Sequence, residues 1–284
     1  MSLATLKEVL EPKNKVFAVG AFSTYNLSSA LGVIEGAEQV GLPVIAMMGA
    51  PVLNLSGNEK VAEALISLAE KSSVPVVVFL DHAKDFETCM KAMKLGFSAV
   101  MIDGSALSLK ENITITNKVT EAAKAIGISV EAEIGALAGI EDGEEVKTKK
   151  MTDPKDVQIF LDATNLDGLA VSIGNAHGFY KGEPNLNFKL LKELNEISDV
   201  PLVMHGGTGL TQEQFAKGIQ LGIKKINIGT EIRKTLIQSF IETHEKNDGD
   251  VWDMVSITKA CTKAVSKVVA EKLIFFRNGW KNLV

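Results

Sequence analysis

The chain has 284 residues, 46% of them apolar but only 6% aromatic, with a formal net charge of -5. That length supports a large, mostly aliphatic core. The acidic balance and the lack of any Lys/Arg block exclude a general nucleic-acid binder. No apolar stretch reaches the roughly 18 residues of a membrane span. The N-terminus, MSLATLKEVL, lacks the long apolar segment of a secretory signal, so no membrane partner and a cytoplasmic location are expected. Two cysteines, Cys89 and Cys261, sit far apart in no motif; they fit a reducing compartment and burial on helices.

Apolar, β-branched runs recur along the chain. VFAVGAF (16–22) precedes a helical pattern, ALGVIEGAEQVG. PVIAMMG (43–49) precedes NEKVAEALISLAEKS, and VPVVVFLDH (74–82) precedes DFETCMKAMKLG. AVMIDGS (99–105) is followed by NITITNKVTEAAKAIG. SVEAEIG (129–135), GLAVSIG (168–174), VPLVMHGG (200–207) and KINIGTE (225–231) complete the set. The runs are nearly continuous rather than alternating, as in a parallel sheet covered on both faces. Helical spacing and terminal glycines mark the segments between them. Eight such units predict an α/β fold, a (β/α)8 TIM barrel, over one domain spanning 1–284. Residues 232–284 form its C-terminal helical region, with helices over 232–246 and 254–273. An open doubly wound sheet is the alternative. One connection, ALAGIEDGEEVKTKKMTDP (136–154), is long and charged; it is either a solvated insertion or a mobile lid.

Barrel enzymes carry their chemistry at the C-terminal strand ends. His82 ends the third run, His177 follows the sixth, and His205 ends the seventh; the fourth histidine, His244, lies in the helical tail. Three imidazoles converging on one rim suit a catalytic zinc with an open position, and neutral histidine also suits iron, cobalt or manganese. Asp81 and Glu133 share that rim. Successive strand residues point to opposite faces, so Asp81 and His82 both reach the cavity only if the strand turns at its mouth. Asp81 is then a proton donor or acceptor or a partner of a metal ligand; taken alone it reads more readily as a helix N-cap. HGGTG (205–209) follows the seventh run and KINIGTE (225–231) forms the eighth; their glycines let backbone N–H groups approach an anion, Thr208 and Thr230 add hydroxyls, and the loops after the seventh and eighth strands are the usual phosphate position in this fold.

With these residues assembled, the chain resembles the class II, zinc-dependent ketose-bisphosphate aldolases, nearest the tagatose-bisphosphate and short fructose-bisphosphate branch. The likeness runs nearly end to end, through LDHAKDFE, VMIDGSALSLKENI, SVEAEIGALAGIEDG, AVSIGNAHGFYKGEPNLNF, PLVMHGGTGL and KINIGTEIR. It implies that His82, His177 and His205 hold zinc and that Asp81 is the acid/base for the hydroxyl at the cleaved bond. It implies that Glu133 stands near an alternative metal position and that Glu141, in the charged connection, is a mobile acid/base. Gly178, Gly206, Gly207 and Thr208 match contacts to the phosphate of dihydroxyacetone phosphate, near a bound monovalent cation, sodium or potassium. Asn227, Ile228, Gly229 and Thr230 match further contacts to that three-carbon half. A homodimer or homotetramer acting on a phosphorylated ketose, a fructose or tagatose 1,6-bisphosphate, is the implied protein; glyceraldehyde 3-phosphate is the second product. The chemistry agrees: cleaving a carbon–carbon bond beside a carbonyl leaves an enediolate, whose charge a Lewis-acidic ion stabilises.

Three positions depart from the family pattern. Ser23 stands where Asn is usual, Gly49 where a small hydroxyl residue is common, and Ala138 replaces the first of two glycines before the acidic pair of the charged connection. A second phosphate needs cations, and the arginines are only Arg233 and Arg277, besides lysines such as Lys181. A Schiff-base aldolase needs a lysine deep on a strand end; the sixth run has none, and the lysines near the eighth are expected to precede it. A zinc hydrolase would not need the phosphate glycines. A non-catalytic phosphosugar-binding paralogue would not need Asp81 and Glu141.

Overall fold

The computed structural model describes residues 2–10, 16–137, 139–141, 144–146, 150–178, 180, 182, 184–247, 249 and 253–277, with the backbone alone at 140, 141 and 144–146. Eight parallel strands close a barrel: β1 (Val19–Ser23), β2 (Val44–Gly49), β3 (Val76–Ala83), β4 (Ala99–Ile102), β5 (Ser129–Ile134), β6 (Gly168–Val171), β7 (Leu202–Met204) and β8 (Ile223–Ile228). Consecutive strands are neighbours, and β8 pairs with β1 to close the ring. The fold is a (β/α)8 TIM barrel with added C-terminal helices.

The period of two along each strand divides the core. Val76, Val78 and Leu80 of β3 face the helices, while Val77 and Phe79 face the barrel interior. The interior layer also holds Ala21, Met47, Met101 and Val203. A short helix, Leu6–Leu10, joins that inner cluster through Leu6, Val9 and Leu10 and closes the N-terminal mouth. The C-terminal mouth is left for polar side chains.

Helix boundaries follow local chemistry. Asp85 caps Phe86–Leu95 by accepting the Thr88 N–H, and Gly96 ends it at φ 101°. The N-cap of this helix is therefore Asp85 and not Asp81. Ser108 and Glu111 form a reciprocal capping box on Leu109–Ala125. Cys89 and Cys261 are buried on helices as expected. The last helix, Met254–Arg277, extends beyond the predicted 273, because Leu273 and Phe276 still have core to pack against. No helix among the described residues is long and apolar enough to cross a membrane.

One expectation needs correction. The eighth run is shifted toward the N-terminus: β8 ends at Ile228, Gly229 breaks it, and a helix starts at Thr230. Lys224 and Lys225 therefore lie within β8 rather than before it. Within the connection 136–154, Gly139–Glu141 and Glu144–Val146 pair as antiparallel strands. The Glu141 side chain, Ala138 and Lys181 lie outside the described residues.

Candidate metal and phosphate site

Inward parity selects most of the site. Continuing the interior series past Val77 and Phe79 brings Asp81 to the mouth; the same alternation brings Asp103 past Met101, Glu131 and Glu133 on β5, and Lys225 and Asn227 on β8. His82 has the wrong parity. It reaches the cavity because its φ is +51°, the one left-handed non-glycine backbone among the described residues, beside a register shift between Leu80 and Ala83. A histidine in that region is uncommon and costs on the order of 1–3 kcal/mol, a strain typical of functional sites.

The three histidines converge. Their ring centroids lie 4.7 Å apart for His82 and His205, 5.1 Å for His82 and His177, and 6.1 Å for His177 and His205. One nitrogen from each falls in a group whose members all lie within 4.8 Å of one another. Each of two rings is backed by a carboxylate. His82 Nδ1 lies 3.1 Å from Asp103 Oδ2, and His205 Nε2 lies 2.9 Å from Glu131 Oε1. Ring protons on those carboxylates leave lone pairs on His82 Nε2 and His205 Nδ1, which face each other across 2.8 Å. Two opposed lone pairs repel, so the donor set fits a cation between them, as in histidine–zinc sites backed by carboxylates.

A buried charge network extends below the histidines. Lys225 and Glu131 are wholly buried, with Lys225 Nζ 3.0 Å and 2.9 Å from the two Glu131 oxygens and 4.1 Å from the Phe79 ring centroid. Burial opposes ionisation of Glu131, but the Lys225 charge and the His205 bond outweigh it and lower its pKa. Burial pushes the His205 imidazole down to about 4, which keeps it neutral and able to ligate. Asp103 is likewise buried, yet its bond to His82, the His82 charge and Lys84 hold it well below the usual carboxylate range. Glu133 is buried with His82 and Asp103 in a second possible metal group, and its Oε2 lies 3.9 Å from His205 Nδ1. Asn227 Nδ2 donates to Asp81 Oδ1 at 3.3 Å, which places the Asp81 carboxylate over the same cavity.

Asp103, Glu131 and Lys225 were missed in the sequence. The alternation in SVEAEIG, with two acids at inward positions, was the available signal. Lys225 had none, because its partner is 94 residues away.

Beside the histidines opens a narrow cavity lined by His177, Gly178, Gly206, Gly207, Thr208, Asn227, Gly229 and Thr230. Seven of the eight expected phosphate-side residues are thus brought together. Ile228 is not: its side chain is buried between strand and helices, which leaves only its backbone for a ligand. Gly206 has φ +65°, and a Cβ there would lie 2.1 Å from Ala176 O, so the turn requires glycine. Gly139 has φ +131° and bridges His177, where a Cβ would lie 2.2 Å from His177 O; the hairpin is thereby fastened to a metal-ligand loop. Ser23 lines the cavity too, 2.9 Å from where a Gly229 Cβ would be. Gly49 pairs with Asp81 in register and starts a short helix.

Fold and site together define a barrel enzyme with a candidate metal centre beside an anion cradle. A family model described as class-II fructose-bisphosphate aldolase matches residues 4–279, and the chain belongs to that family. It is a class II aldolase, a lyase. It is 37% identical to the 6-phospho-5-dehydro-2-deoxy-D-gluconate aldolase of Bacillus velezensis, over 99% of this chain and 98% of that protein. It is 39% identical to the sulfofructosephosphate aldolase of Alkalicoccus urumqiensis, over 97% of each. Among solved structures, the YdjI aldolase of Escherichia coli K12 superposes with a TM-score of 0.83 at 31% identity, covering 96% of this chain and 97% of that one.

Proposed function

We propose that the chain reversibly cleaves a phosphorylated ketose, a 1,6-bisphosphate of the fructose or tagatose type, to dihydroxyacetone phosphate and an aldehyde. The observation that carries this reading is the convergence of His82, His177 and His205 beside Asp81. Those three imidazoles would hold zinc, which when bound supplies the positive charge that stabilises an oxyanion beside the breaking bond. Asp81, steadied by Asn227, takes the proton from the hydroxyl at that bond and returns it in the reverse direction. Glu141 serves proton exchange at the neighbouring carbon. The glycine turn at Gly206–Thr208 and the start of the helix at Thr230 bind the phosphate through backbone N–H groups; Gly178 joins them, and a sodium or potassium ion is expected there. Glu133 and Asp103 offer a second, deeper metal position.

The second reading changes only the far end of the substrate. The family and the two named relatives act on a bisphosphate, a sulfofructose phosphate and a phosphogluconate derivative. These share one phosphate and differ in the second anionic group, and Ser23 and Gly49 are where this chain departs from the fructose pattern. The chain is expected to work as one cytoplasmic domain. A homodimer or homotetramer is supported by Ile237, Phe240 and Ile241, exposed together on the helix Thr230–Lys246.

The test is cleavage of a panel, fructose and tagatose 1,6-bisphosphates, the sulfo analogue and the deoxygluconate phosphate, with and without chelator, following dihydroxyacetone phosphate. One substrate should dominate and chelation should stop it. Full activity without metal, or inactivation by borohydride in the presence of substrate, overturns the mechanism.

A further inference from the structure

We propose that Asn175 and Tyr180 clasp together the loops that follow β6 and β7, and that this clasp couples the metal centre to the anion cradle, so that filling either site tightens the other. The coupling rests on the reading above of the three histidines as a metal centre and of the Gly206–Thr208 turn as an anion cradle.

The sheet does not hold these two loops together. The ladder between β6 and β7 pairs Leu169 with Leu202 and Ala170 with Val203, and among the described residues it goes no further. His177 and His205 both lie beyond it. Two side chains of the loop after β6 take over. Asn175 is wholly buried; its Oδ1 accepts the Ile173 N–H at 2.8 Å, and its Nδ2 donates to His205 O at 2.9 Å. Tyr180 Oη accepts the Ala176 N–H at 3.1 Å and donates to Gly206 O at 2.9 Å. A hydroxyl has one proton, so the direction of this chain is set, from the loop of one histidine to the turn beside the other.

Every bond of the clasp across the loops ends next to a residue of one site or the other. Ala176 precedes His177, and His205 O belongs to a candidate metal ligand. The peptide unit is planar, so fixing His205 O also fixes the Gly206 N–H at its other end. Gly206 O shares a peptide with the Gly207 N–H, which donates to Asn227 O at 3.2 Å. That peptide of the cradle is therefore strung between Tyr180 and β8. The packing leaves no slack: a Cβ on Gly206 would lie 2.1 Å from Ala176 O, and one on Gly209 would lie 3.4 Å from Tyr180 Cδ2. A cation that fixes His177 and His205 thus also fixes the turn, and an anion seated on the turn fixes the histidines. Asn175 and Tyr180 are positioning residues; neither needs to touch the cation or the anion.

The experiment measures the linkage directly. Metal-stripped protein is titrated calorimetrically with inorganic phosphate, without zinc and at saturating zinc, and the ratio of the two dissociation constants is the coupling factor. The wild type should give a factor of about 5- to 150-fold, the usual range for linked sites. Zinc affinity, read by competition with a chromogenic chelator with and without phosphate, should change by the same factor, because linkage is reciprocal. Tyr180→Phe keeps the ring and removes the hydroxyl; its factor should fall by about 2- to 10-fold, the scale of one hydrogen bond. Asn175→Ala should lower the factor further; if that variant does not fold, Tyr180→Phe decides alone. The attraction of zinc for phosphate through space is common to all three proteins, so the difference between them belongs to the clasp. A Tyr180→Phe protein that loses stability but keeps the wild-type factor has lost only a structural bond, and that result overturns the proposal. A wild type that binds both zinc and phosphate without linkage overturns it too. A wild type that fails to bind zinc or phosphate at all overturns the underlying reading of the two sites, and the coupling falls with it.

Discussion

The two ends of the cleft are built from different materials. At the metal end, side chains do the work: three imidazoles, two of them backed by Asp103 and Glu131, with Lys225 buried beneath. At the proposed phosphate end the wall is mostly backbone: a turn at Gly206 and Gly207, a helix start at Thr230, and one arginine leaning on Tyr25. The difference sets how each end should respond to substitution. Removing one member of a buried charge network is costly, because it leaves its partner charged and dry. Backbone donors persist whatever the side chains are, so changes there weaken binding by degrees.

The sharpest way to break this contrast is at the chemistry itself. Asp81→Ala should lower kcat by about 10²- to 10⁴-fold with zinc still bound, measured by dihydroxyacetone phosphate release and metal analysis. Wild-type turnover in that variant removes Asp81 from the mechanism. Next comes the floor of the metal end. Lys225→Met should destabilise the fold by about 3–5 kcal/mol in chemical denaturation, because Glu131 is left as an unpaired buried charge. The double variant Lys225→Met, Glu131→Gln should recover much of that loss; equal stability of single and double variants contradicts the pairing. Asp103→Asn should weaken zinc binding by about 10- to 100-fold, read by competition with a chromogenic chelator. Unchanged affinity means that His82 does not need its carboxylate. The smallest effect belongs to the phosphate end. Thr208→Ala removes one hydroxyl from a cradle of backbone donors and should raise KM by about 2- to 10-fold with kcat unaltered. A collapse of kcat in that variant erases the distinction between the two ends.

Much of this site could be read along the chain because it obeys strand parity. Asp81 and His205 each end an interior series that apolar residues begin, whereas Glu133 and Asn227 end series that already carry a charged residue, Glu131 and Lys225. Glu131 sat in plain view, one step from Glu133 in the same alternation, yet its role depends on Lys225 across the barrel. Lys225 was misplaced because a lysine in a run of Ile and Asn looks like a strand boundary. Inside the barrel it is instead the counter-charge of a buried acid. The start of the eighth helix was set late in the sequence reading, since NIGTE continues the β pattern until Gly229 breaks it.

By itself the sequence determined the eight staves and the histidines at or just after their ends, because an apolar, β-branched run bounded by turn residues is a local property of the chain. Tertiary structure decided the rest. It turned His82 inward against its parity through a left-handed residue and a shifted register. It joined Glu131 to Lys225 and His205, and it separated Arg233 in the cleft from Arg277 at the opposite mouth. These pairings depend on how far each strand is staggered against the next when the sheet closes, and that stagger is a property of the whole ring rather than of any one strand.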